Sequence, residues 1–242
     1  MNQIDPIGAL GLGGPEMVRL APTSLADQAY RQLRGLLMAG HFRPHQRLKV
    51  RELARGLGIS ETPVREAIFQ LVRDGALDLK PRHYIRVRRL SLRGYFELRD
   101  IRLELEPLAA ERALPRIDRA LIARLGDIHA DLIAAERAGR REQAVQRNFD
   151  FHFGIYWRSD MPALIDILET LWVRVGPLLN DLYPHAAPTY PGRHQHEEIL
   201  AALDRGDAGA LRQAVCRDMI EGGVKFVAYL EKLEAEVDQA ND

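Results

Sequence analysis

The residues of this 242-residue chain whose types and spacing could do chemistry fall into three groups. Glu61, Thr62 and Arg65 open an amphipathic run in which Val64, Ile68, Leu71 and Val72 share one face at i, i+4, i+7 and i+8. With that face buried, the three point outward at the N-terminal end of a helix. A helix-turn-helix protein lays that end in the major groove. An arginine there can read guanine, because its planar fork meets O6 and N7 together. In the second group, Asn148 and His152 stand four apart in a helical pattern, so an amide and an imidazole share one face. The third group is two arginines. Arg174 interrupts the apolar run Leu171-Trp172-Val173-Arg174-Val175, where it needs a partner. A carboxylate would meet it through two parallel hydrogen bonds. Arg102 precedes Glu106 by four, so an internal salt bridge competes with a binding role.

The elements that must hold the first group are legible around it. Leu53, Ala54 and Leu57 mark an earlier helix, and Gly58 ends it where a left-handed residue is needed. Ser60 can cap the next helix, Pro63 lies in its first turn, and Gly75 stops it. Thr23 and Ser24 are cap candidates for a helix from about Leu25 to Ala39, closed by Gly40. Leu77-Asp78-Leu79 and Tyr84-Ile85-Arg86-Val87 alternate like two strands, joined by Lys80-Pro81-Arg82-His83 into a wing. Arg88 to Ser91 reads as a linker, and residues 1–22 as a mobile tail. Gly8, Gly11, Gly13 and Gly14 are no phosphate loop, because no strand precedes them and no Lys-Ser/Thr follows.

Charge separates the two halves. Residues 1–90 hold 15 Lys and Arg against 8 Asp and Glu, a net of +7, and residues 91–242 hold 19 against 26, a net of −7. A neutral total thus hides a basic N-terminal part, which fits a nucleic-acid module joined to something else. Cys216 stands alone, so no internal disulfide forms, as suits the cytoplasm. It sits in a helical pattern as a small core residue. No apolar run is long enough to span a bilayer, and the N-terminus shows no secretion signal.

Everything after residue 91 reads as helix, with segments near 92–113, 118–138, 141–158, 162–182, 192–205 and 207–236. Pro115, Gly139, Pro162, the run Pro184 to Pro191, and Gly206 separate them, and Pro107 should kink or divide the first. Short connections without a fixed repeat imply an antiparallel bundle rather than a solenoid. The fold class is therefore mainly α: three helices and a two-stranded wing, followed by an all-helical bundle.

The stretch Leu53-Ala54, Gly58, then Ser60-Glu61-Thr62-Pro63-Val64-Arg65-Glu66-Ala67 closely resembles the winged helix-turn-helix of GntR-type bacterial transcription regulators. The resemblance takes in Leu25 to Tyr30 and Gly40 to Pro44 and ends near Val87, giving a DNA-binding domain over 23–90. The later segments Arg102 to Glu106, Asn148 to His152, His196 to Leu200 and Asp207 to Asp218 resemble the FCD domain of FadR-type members. That makes 91–242 an effector-binding and dimerisation domain. The resemblance implies operator contacts from Arg51, Ser60, Thr62 and Arg65. His83-Tyr84 replaces the frequent Arg-Gly of the wing, which leaves Arg82 to serve there, and Glu61 stands where a basic residue is common. The resemblance also implies a metal site of Asn148, His152, His196 and Asp218, suited to Zn, Ni or Mn. Asn148 stands where Asp is usual, and Asp218 where a third His is usual. His194 is near enough to substitute but is expected to face solvent. Arg102 matches a position near the cavity, and with Arg174 it is a candidate to bind a carboxylate effector, with Tyr156 and Trp172 as walls.

The reading is a cytoplasmic regulator that binds a short inverted-repeat operator in double-stranded DNA as a homodimer and responds to a small organic acid. One rival is a metal-dependent enzyme carrying a DNA-binding module, since such a cluster could activate water. No carboxylate or His is left over as its general base. A second rival, a pure protein-interaction bundle, predicts no pocket.

Overall fold

The computed structural model describes residues 24–181 and 192–239. The tail over 1–22, the cap candidate Thr23 and the run Pro184 to Pro191 lie outside the described residues. Helix α1 (Leu25–Met38) starts on a capping box: Ser24 Oγ accepts from the Asp27 amide, and the Asp27 carboxylate accepts from the Ser24 amide. Helix α2 (Val50–Leu57) ends at Gly58 with φ 68°, the left-handed value a glycine reaches without strain. Helix α3 (Glu61–Arg73) follows at once. Ser60 takes the cap position, but its side chain makes no capping bond. Strands β1 (Leu77–Lys80) and β2 (Tyr84–Val87) pair antiparallel, with Leu77 opposite Val87 and Lys80 opposite Tyr84. Leu33, Leu37, Val64, Ile68, Leu71, Leu77 and Val87 are buried together, so three helices and the wing share one core. Each such aliphatic side chain contributes about 1.5–3 kcal/mol through burial.

The bundle consists of α4 (Leu92–Ala113), α5 (Arg119–Arg137), α6 (Arg141–Tyr156), α7 (Pro162–Val175), α8 (Gln195–Arg205), α9 (Ala208–Gly222) and α10 (Val224–Gln239). Helix α5 packs on α6, α8 on α9, and α4 touches α6, α7 and α9, which makes α4 the central element. None of the described helices is long and apolar enough to cross a membrane.

Three expectations about element boundaries need correction. Of the two outcomes expected at Pro107, division does not occur, and helix α4 runs through it as one element. The proline lacks the N–H that would bond the Leu103 carbonyl. The Cys216 thiol on α9 stands 3.8 Å from that oxygen as a replacement donor. Helix α7 stops at Val175, and residues Gly176–Asp181 tighten into a 3-10 turn, because Pro177 has no N–H to continue the α-helical ladder. The long segment over 207–236 is two helices, broken at Gly223. A Cβ there would stand 2.7 Å from the Met219 carbonyl and 3.0 Å from the Tyr95 hydroxyl.

The two units dock through α1 and the α7 end. A Cβ on Gly176 would collide with the Leu37 and Met38 backbone, so only glycine permits this approach. Asn180 Nδ2 donates to the Gly40 carbonyl and, at 3.0 Å, to that of Phe42. Arg34 on α1 forms an ion pair with Glu169 on α7.

Candidate functional site

The α3 surface carries its chemistry in the open. Arg51, Ser60, Thr62 and Arg65 are all exposed: Ser60, Thr62 and Arg65 at the start of α3, and Arg51 at the N-terminal end of α2. Arg65 Nη2 donates to Glu61 Oε2 at 2.7 Å, so Glu61 holds the arginine along the helix. Arg82 is exposed at the wing tip with φ 62°. At the base of the wing, Asp78 accepts from both Arg86 and Arg88.

A cavity opens inside the bundle, lined by Tyr95, Arg102, Asn148, His152, Trp172 and Asp218 among others. Glu106 also lines it, its side chain almost fully buried and saturated with donors. Arg102 Nε reaches its Oε1 at 2.5 Å, Trp172 Nε1 the same oxygen at 2.6 Å, and the Tyr156 hydroxyl its Oε2 at 2.8 Å. The Arg102 guanidinium also lies 4.6 Å from the Trp172 ring. Burial would lower the Arg102 pKa, but the Glu106 carboxylate outweighs it and raises the pKa, so the arginine stays charged. This contact is the salt bridge that the Arg102–Glu106 spacing allows, and it coexists with a place on the cavity wall.

Deeper in, three ligand-type atoms converge. His152 Nε2 lies 3.1 Å and His196 Nε2 3.8 Å from the same oxygen, Asp218 Oδ2, and the two nitrogens are 3.3 Å apart. Burial would push the Asp218 carboxyl up, but His196 and His152 together hold it well below the usual carboxylate range, so it is ionised. Burial holds the His196 imidazole well below its ordinary value, hence neutral. Burial, then Glu106, pushes the Tyr156 phenol well above its ordinary value, so it keeps its proton. That proton goes to Glu106, and the phenol oxygen then accepts from His152 Nδ1 at 3.2 Å. His152 therefore carries a ring proton on Nδ1, and its Nε2 faces Asp218 and His196. Either a proton on His196 Nε2 or a divalent cation can fill the space between these ring nitrogens and the carboxylate. The residues present fit a divalent metal held by His152, His196 and Asp218, with Tyr156 orienting one ligand from behind. Asn148 lines the same cavity, beside His152.

The structure thus brings Arg102, Trp172, Asn148, His152 and Asp218 to one cavity, with His196 and Tyr156 directly behind. Arg174 does not join them, which corrects its expected place in an effector clamp. Its side chain meets Gly75 and Arg88 at the junction of the two units, and its Nε is buried with no hydrogen-bond partner among the described residues. Trp172 and Arg174 are two residues apart on a helix and face different ways, so they cannot serve one cavity. His194 faces solvent only in part. It is half-buried, with its ring 4.8 Å from His129 and 4.5 Å from His196. Two participants escaped the sequence reading: Glu106 as the hub of the donor network, and His129. The signal for His129 was its place in the stripe Leu121, Leu125, His129, Leu132, all buried on α5.

Residues 25–87 match the family described as bacterial regulatory proteins, gntR family, and residues 97–220 match the FCD domain. The HTH-type transcriptional regulator McbR of Escherichia coli K12 is 34% identical over 207 residues, which is 85% of this chain and 94% of that protein. A solved structure of E. coli McbR/YncC superposes with a TM-score of 0.74 at 33% identity, over 88% of this chain and 100% of that one. The HTH-type transcriptional repressor RspR of E. coli K12 is 26% identical over 205 residues, 84% of this chain and 90% of its own. These relatives are transcription regulators, not enzymes.

Proposed function

The chain belongs to the GntR family of bacterial transcription regulators, in the branch with an FCD domain, and on that footing we propose how it works. It acts in the cytoplasm as a homodimer on a short inverted-repeat operator, and a small organic acid in the FCD cavity alters its grip on DNA. The observation that carries this reading is the convergence on one cavity of a charged arginine, Arg102, and a metal-competent cluster, His152, His196 and Asp218.

Each set of residues has a separable task. Arg65, with Ser60 and Thr62, meets base edges and nearby phosphates in the major groove, and Arg51 and Arg82 add contacts from α2 and the wing. Arg65 must first leave Glu61, 2.7 Å away. In the cavity, Glu106 occupies the Nε of Arg102, which leaves the outer guanidinium nitrogens to meet a carboxylate. A Zn, Ni or Mn ion, when bound, supplies a Lewis-acid anchor for an effector oxygen. Asn148 adds a neutral oxygen beside it, and Tyr156 fixes the His152 ring.

The signal has a short path. Trp172, Val175 and Leu179 line the cavity. Between and beside them on the same stretch of chain, Gly176 and Asn180 dock against the Leu37–Phe42 backbone of the DNA-binding unit. Anything that shifts the α7 end to fit an effector therefore bears on the placement of α1, and operator affinity changes by linkage.

Fluorescence anisotropy of a labelled duplex from the protein's own promoter region, titrated with short carboxylic acids, tests the proposal. At least one acid should shift the operator affinity of the wild type. Arg102→Lys should bind the duplex equally well but lose the shift, because lysine offers charge without the fork. An equal shift in Arg102→Lys would remove the arginine from effector recognition.

A further inference from the structure

On the far side of His196 from the cavity, three histidines meet. His129 comes from α5, His194 precedes α8, and His196 lies in its first turn. Each can offer one ring nitrogen to a point where all three lie within 4.8 Å of one another. Two of these rings carry an unexplained atom: His129 Nδ1 and His196 Nδ1 are buried and have no hydrogen-bond partner among the described residues. Buried ring nitrogens normally find one. The other side of each ring accounts for the proton. His129 Nε2 faces the Glu197 carboxylate at 4.0 Å, and His196 Nε2 faces His152 and Asp218. A ring proton on Nε2 in both residues leaves both unpartnered Nδ1 atoms with lone pairs.

We propose that His129, His194 and His196 form a second divalent-metal site, of the kind that takes Zn, Ni or Cu, in competition with the cavity cluster for His196. Three imidazoles suit these borderline metals and not the oxygen-seeking Mg or Ca. Metal–nitrogen distances of about 2.0–2.1 Å require only that the three rings close slightly on the ion. The competition follows from valence. A neutral imidazole has one lone pair, so His196 coordinates through Nδ1 on the outer side or through Nε2 in the cavity, and its proton takes the other nitrogen. His194 makes a similar choice. Its Nδ1 now accepts the His196 amide proton at 3.1 Å, and metal capture replaces that hydrogen bond. The half-buried His194 opens the outer site toward solvent, and the fully buried His196 closes it against the cavity. A metal ion would therefore meet the outer site first and pass inward as His196 exchanges its proton between nitrogens.

The site is independent of whether the cavity answers to an organic acid, and its test reads metal alone. The full-length protein, stripped of metal, is titrated with Zn2+ against a chromophoric chelator, with circular dichroism melts as the check on folding. Wild type should take one tight equivalent, because the two positions share one lone pair. His152→Gln, which damages the cavity cluster, should still take one. His152→Gln with His129→Gln, and separately with the more exposed His194→Gln, should bind at least about tenfold more weakly, since each removes one of three ligands. Two tight equivalents in wild type would overturn the sharing. No binding by folded His152→Gln, or equal binding by it and both double variants, would overturn the outer site.

Discussion

Two pairs with the same chemistry and the same spacing work in opposite ways in this protein. Glu61 and Arg65 stand four apart on α3, with side chains 44% and 57% exposed. Arg102 and Glu106 stand four apart on α4, with side chains 8% and 1% exposed. Water screens the first pair, so such pairs are worth about 0.2–1 kcal/mol, and the arginine can leave its partner at small cost. The second pair sits in a low dielectric, where neither charge can remain without the other. Spacing makes both pairs possible, and burial decides which is a fixed strut and which is a resting position. A residue meant to read DNA has to be of the exposed, releasable kind.

The largest effect should come from breaking the buried pair. Glu106→Gln removes the charge that compensates Arg102 and weakens the acceptor shared with Trp172 and Tyr156. Loss of one partner from a buried pair costs about 3–5 kcal/mol. Urea unfolding should show a fall of that size. Adding Arg102→Met should recover much of it, because no lone buried charge remains. A fall below about 1 kcal/mol, the value of an exposed pair, would mean that water reaches Glu106.

Arg65→Ala should be the mirror image, leaving the urea midpoint unchanged because only an exposed pair is lost. Operator affinity should drop by about 1–3 kcal/mol, and the preference for one base position should relax. Anisotropy across a set of singly substituted operators would show it. A uniform drop on every sequence would make Arg65 a phosphate contact, and the base reading would pass to Thr62 or Ser60.

The same contrast explains how much could be read from sequence. The α2–α3 unit is local: its apolar stripes, the Gly58 turn and the exposed Arg65 all lie within about twenty residues, so periodicity places each one. The cavity takes its residues from α4, α6, α7, α9, α10 and the 3-10 turn after α7. Periodicity gives a helical residue its direction but not its neighbour. Arg174 stands on an apolar helix, as its sequence context implies, yet its neighbours are Gly75 and Arg88 rather than the cavity. Its offset of two from Trp172 already separated them. Pro107 does not divide α4, and the carbonyl it leaves bare is met by a donor more than a hundred residues away, the Cys216 thiol. Nothing local announces such a donor. Glu106 was visible only as a spacing partner, because its three donors come from three different helices.

The smallest predicted effect sharpens the comparison most, because it bears on the releasable pair alone. In the free protein Glu61 holds Arg65 at 2.7 Å, at the end of α3 where DNA phosphates would approach. Its carboxylate acts in two ways on binding. It must surrender Arg65 before a base can be read, and its charge repels the phosphate backbone. Against this, it favours the helical conformation through its place in the first turn and its pairing with Arg65. Glu61→Gln removes the charge and keeps the shape. Stability should fall by no more than about 0.5 kcal/mol, from the lost pair and the lost dipole contact. Operator affinity should rise by about 0.2–1 kcal/mol, the range of an exposed ion pair. The gain should shrink as salt increases, since both parts of it are screened. Weaker operator binding in Glu61→Gln, most of all at one base position, would give Glu61 a different role. It would then accept from a cytosine amine and read a base of its own, so that the exposed pair divides between two bases on binding.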